Sequence, residues 1–139
     1  MRRFFMAALM SGLIGLAAVN APPVFKVRTI PIALLAQDSD LIVEASVTDV
    51  VRQAGGTRVA KCKPATTWKG QASDVVEFLA SPTWACDIST AVAGERVLLF
   101  LKVGESGQLY IDHSGRGRMP LREFEGHTYA TFFGEISFP

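Results

Sequence analysis

The 139-residue chain contains only two cysteines, two histidines and two tyrosines, and that scarcity narrows the chemistry at once. Cys62 and Cys86, with the distant His113 and His127, do not have the spacing of a zinc site, so no metal is expected. No cofactor motif is present, and no cofactor is expected. The glycines at residues 115–118 lack the Lys-Ser/Thr ending of a phosphate-binding loop. No G-x-S-x-G turn exists to expose a nucleophilic serine. Internal repeats and low-complexity segments are absent. Neither charge dominates, with 14 basic residues against 13 acidic ones. A near-neutral chain lacks the basic excess of a broad nucleic-acid binder or of a polybasic membrane-surface module.

What is present begins with Met1-Arg2-Arg3, a short basic head. Residues 4–19 follow, an apolar run of 16 residues without charge or proline, closed by Asn20-Ala21-Pro22-Pro23. A basic head, an apolar middle and a small-residue end are the parts of a secretory signal peptide. A membrane anchor is the alternative, but a span needs about 20 residues and this run is rich in Ala and Gly. Residues 1–21 are therefore expected as a signal peptide and residues 22–139 as one domain, periplasmic or secreted, with no stable membrane anchor. Cleavage after Ala21 would leave Pro22 next to the cut; cleavage after Ala17 or Ala18 is the fallback. No cysteine near this end could carry a lipid. Arg2 and Arg3 leave with the leader, so 12 basic residues then face 13 acidic ones. In an oxidising compartment, Cys62 and Cys86 are expected to form a disulfide. A bridge across 24 positions would contribute about 3.5 kcal/mol by the chain-entropy model. Two unrelated buried thiols are the alternative.

Short apolar runs broken by Gly, Pro, Asn, Asp and Ser are the pattern of an all-β domain. Residues 24–29 allow a first short strand, and residues 31–37 a brief helix with proline near its first turn. Residues 41–52 are the clearest strand, with Leu41, Val43, Ala45 and Val47 on one face and Glu44, Ser46 and Thr48 on the other. The alternation breaks at Asp49, which predicts a bulge or a sharp bend. Gly55-Gly56 marks a hairpin turn into a strand at residues 57–67, where Pro64 suggests an edge or a bulge. Residues 73–79 form a third strand. A long connection carrying Trp84 and Cys86 leads to residues 96–103, apolar on both faces and so expected at the centre of the sheet. Residues 108–112 return. A last strand pair, residues 119–124 and 127–133, surrounds Glu125-Gly126. Five or more strands with one short helix point to a mainly all-β fold, a small barrel or sandwich.

The order of features resembles the netrin-like domain shared with the tissue inhibitors of metalloproteinases, especially its small exported bacterial versions. The residues that carry the resemblance are Ser39-Asp40-Leu41-Ile42-Val43, Trp68-Lys69-Gly70, Cys86, and Gly94-Glu95-Arg96-Val97-Leu98-Leu99-Phe100-Leu101. It covers about residues 30–115, and it implies an OB-like five-stranded β-barrel with a helix packed against it. The metalloproteinase inhibitors chelate zinc through an N-terminal cysteine. The first cysteine here is Cys62, so that device is not implied.

Among the chemistry-bearing residues, Asp112-His113-Ser114 contains the residue types of a hydrolase triad. Adjacent residues in a strand face opposite ways and cannot chain nucleophile to base to orienter. Gly115-Arg116-Gly117-Arg118 could cradle an anion, since glycine admits close backbone approach and arginine grips carboxylate or phosphate bidentately. A solvated turn is the plainer reading. Trp68 and Trp84 could stack on a sugar or base, or simply pack. Lys61 and Lys63 share a polar outer face that Cys62 does not. The expectation is an exported, non-enzymatic binding or protein-interaction module for an extracytoplasmic protein or small ligand. Its candidate contacts are His113, Arg116, Arg118 and Trp68. A hydrolase with an unrecognised site and a glycan- or anion-binding OB barrel are the alternatives.

Overall fold

Alternation makes the first strand. Leu41–Arg52 (β1) turns Leu41, Val43, Ala45 and Val47 inward, and Ser46 and Thr48 outward. It is one element of a computed structural model that describes residues 30–132 and 135–137. The expected signal peptide and the strand at residues 24–29 lie outside the described residues. Helix α1 (Ile32–Asp38) precedes β1. A hairpin through Gly55 and Gly56, both at positive φ, leads to β2 (Arg58–Lys69), which pairs with β1 along its length. The register slips between Val47 and Asp49, where the apolar alternation fails, and again beside Pro64. Then come β3 (Val76–Leu79), β4 (Arg96–Val103) and β5 (Leu109–Ile111).

These five strands close on themselves in the order β1-β2-β3-β5-β4, with β4 returning to β1. The closure depends on one parallel contact, Phe78 beside Leu109 and Leu79 beside Tyr110. The fold is mainly β, a small OB-like barrel with one short helix. Strand β4 is its centre, as its two apolar faces imply. One edge pairs with β1; the other pairs with β5 and with a later strand, β6 (Arg118–Phe124). Val97, Leu99 and Leu101 point into the barrel with Val43, Val47 and Phe78. Phe100, on the other face, packs with Ile42, Met119 and Leu35 of α1 in a second cluster. Beyond the barrel, β6 turns at Glu125 and Gly126, both at positive φ, into β7 (His127–Phe132), which pairs with β8 (Glu135–Ser137).

The expected disulfide is not formed. Cys62 and Cys86 are both free thiols. The cause is strand geometry. Period two turns Cys62 into the barrel core while Lys61 and Lys63 face outward, and Cys86 is exposed on the connection after β3. Burial pushes the Cys62 thiol up to about 11. A thiol reagent at neutral pH should therefore label Cys86 alone in the folded protein, and Cys62 only after denaturation. The unfolding midpoint should be the same with and without reductant; a lower midpoint in reductant would contradict free thiols.

Candidate functional site

Residues 112–117, between β5 and β6, hold an unusual backbone. His113 and Ser114 lie at φ of 49° and 56°, followed by Gly115 at 85°. A left-handed backbone costs a non-glycine residue about 1–2 kcal/mol, so His113 and Ser114 in succession need support. Asp112 supplies part of it. Its buried carboxylate accepts the His113 amide at 2.8 Å, and the buried Ser39 hydroxyl lies 3.1 Å from its other oxygen. The His113 ring turns toward α1, with Nε2 2.9 Å from the Asp38 carboxylate. The connection between β3 and β4 supplies the rest. The Ile88 amide donates to the Ser114 carbonyl at 3.0 Å, and the Trp84 indole N–H donates to the Ser114 hydroxyl at 3.1 Å. Gly115 lies so close that a Cβ there would come within 2.5 Å of the Ile88 carbonyl carbon.

Asp112, His113 and Ser114 therefore do not form a nucleophile–base pair. His113 faces Asp38, and the Ser114 hydroxyl holds Trp84. The glycines of the Gly-Arg-Gly-Arg stretch are filled by protein backbone. Ser89 crowds Gly115, and the Phe100 carbonyl oxygen would lie 2.5 Å from a Cβ on Gly117. Arg118 grips Glu95 with both arms of its guanidinium, Nε lying 2.9 Å from Oε1, and both side chains are largely buried. Arg116 is half-buried and reaches the His113 carbonyl at 3.3 Å. Trp68 is 68% exposed near the end of β2. Its neighbour Lys69 reaches over to the α1 carbonyls of Ala36 and Gln37. Lys61 pairs with Glu77 across β2 and β3 at 3.1 Å.

The two stitched loops frame a cleft of about 410 Å³, and the β4–β5 turn forms its other wall. Trp84, Asp87, Ser106, Gln108, Tyr110 and Ser114 are among its lining, over a floor of Leu79 and Ile111. Of the residues singled out from sequence, only Trp84 and Ser114 line it; Trp68, His113, Arg116 and Arg118 do not. Burial raises the Asp87 carboxyl pKa. Hydrogen bonds from Ser89 and Thr83 outweigh that effect and hold the carboxyl below the ordinary carboxylate value. Asp87 thus shapes the loop that presents Trp84. The Tyr110 ring packs over Gly104, 3.6 Å from where a Cβ would sit. Sequence reasoning missed Tyr110, Gln108 and Ser106, because only the fold brings their turn opposite Trp84. The one signal in the sequence was an aromatic residue in a long polar connection.

Among the described residues there is no cluster of three or more His, Cys, Asp or Glu side chains placed to hold a metal. None of their helices is long and apolar enough to cross a membrane. No protein-family model, curated protein or solved structure matches the chain.

Proposed function

We propose that the chain is an exported, non-enzymatic binding module of the netrin-like, OB-barrel kind, with the cleft beside Trp84 as its ligand site. One observation carries this reading. Two loops that meet only through tertiary contacts, one of them held in left-handed backbone, converge to fix an exposed tryptophan over a cavity. Strained backbone of this kind accumulates where a protein holds a shape ready for a ligand. Export is supported by the basic head and apolar run of residues 1–21. The non-enzymatic reading is supported by the engagement of His113 and Ser114 with partners other than each other.

A small-molecule thermal-shift screen, repeated on Trp84→Ala, tests the proposal. Ligands should raise the unfolding temperature of the parent protein and lose that effect in the variant. Turnover of ester, peptide or phosphate substrates that is abolished in His113→Ala would overturn it in favour of a hydrolase.

A further inference from the structure

We infer that the cleft takes a neutral polyhydroxylated ring, a sugar, stacked on the indole of Trp84; this rests on the binding-module reading and names its ligand class. Trp84 is 55% exposed, yet its single polar side-chain atom is bonded to Ser114. What it offers solvent is aromatic carbon, a surface suited to the C–H face of a sugar ring. The rest of the cleft sets the charge. No lysine or arginine lines it, so a phosphate, sulfate or carboxylate would find no counter-charge. Its carboxylate, Asp87, is already occupied by Thr83 and Ser89.

Neutral donors and acceptors remain. The Tyr110 and Ser106 hydroxyls make no hydrogen bond among the described residues, and the Gln108 amide makes a single long one to its own neighbour's carbonyl, at 3.4 Å. A purely apolar ligand would strip these groups of water without replacing it. A ring with one carbon face and a hydroxyl rim satisfies both walls. The volume, about 410 Å³, is at the small end of the ligand-pocket range of about 300–1,000 Å³. The Ser114–Trp84 bond holds the indole before the ligand arrives, which lowers the entropy lost on binding.

The test uses the full chain carrying Trp68→Phe, so that Trp84 is the only emitting tryptophan. The probes are maltose, cellobiose, chitobiose and xylobiose, with a heparin oligosaccharide and an anilinonaphthalene dye as the anionic and apolar contrasts. At least one neutral disaccharide should change Trp84 emission saturably. Its affinity, read by calorimetry in both proteins, should fall about tenfold or more in Trp84→Ala. Tyr110→Phe, which removes only a hydroxyl, should weaken it several-fold with the unfolding midpoint unchanged. If heparin or the dye binds in a Trp84-dependent way and no neutral sugar does, the sugar inference fails while the binding module stands. If no probe perturbs Trp84, the sugar inference fails. Binding of the sugar with undiminished affinity in both variants would place it elsewhere and overturn the assignment.

Discussion

Replacing Gly115 with alanine should destabilise the protein by about 3 kcal/mol or more and detach Trp84 from Ser114. Two costs combine at this position. At φ of 85° any side chain is strained, by about 1–2 kcal/mol. The added methyl also meets backbone, the Ile88 carbonyl carbon at 2.5 Å and the Ser89 amide closer still. Backbone cannot rotate away as a flexible side chain can, so the two loops must part. That breaks the Ile88–Ser114 hydrogen bond and with it the wall of the cleft. Gly107→Ala separates the two costs. Gly107 has a similar φ of 79°, but a methyl added there would have nothing within 4 Å, so only the strain of about 1–2 kcal/mol should appear. Denaturant midpoints of the two variants and Trp84 emission check this. Equal destabilisation would mean the loops do not meet as described.

Arg118→Ala is the second large effect, at about 2–4 kcal/mol. Removing one partner of a buried ion pair leaves the other as an uncompensated charge, a loss of about 3–5 kcal/mol when burial is complete. Glu95 and Arg118 retain 13% and 17% side-chain exposure, which reduces that figure. Glu95 also accepts the Val92 amide at 2.9 Å, so the connection before β4 loosens as well. Replacing both, as Glu95→Gln with Arg118→Met, should recover most of the loss, because no charge is then stranded. Urea unfolding of Glu95→Gln, Arg118→Met and the double variant gives the coupling; a value near zero would show that the pair contributes nothing. A loss of binding in Arg118→Ala is consequently no sign of ligand contact, whereas one in Trp84→Ala at an unchanged unfolding midpoint is.

Much of the barrel was legible in the chain itself. The alternation of Leu41, Val43, Ala45 and Val47 and its failure at Asp49 specify a strand and its bulge, because side chains in a strand must alternate between faces. The two apolar faces of Arg96–Val103 specify a central strand, and among the described residues it is the one element with three strand partners. Gly55-Gly56 and Glu125-Gly126 specify hairpins through backbone that requires positive φ. All of these depend on residues close together in the chain.

The site was not legible, for the opposite reason. The Cys62–Cys86 bridge was expected from compartment and count, but the direction each side chain takes decides bonding, and Cys62 faces the core. The Gly-Arg-Gly-Arg stretch has the composition of an anion cradle. Packing instead fills its glycines with the backbone of Ser89 and Phe100 and ties Arg118 to Glu95. Trp84 meets a serine 30 positions away, and Tyr110 reaches the same cleft from a different strand. Local pattern by itself determined the strands from β1 to β7, the irregularities at Asp49 and Pro64 and the short helix. The parallel contact of β3 with β5, which closes the barrel, and the meeting of two loops over Trp84 were decided only by the tertiary structure, since both join residues whose proximity no local pattern encodes.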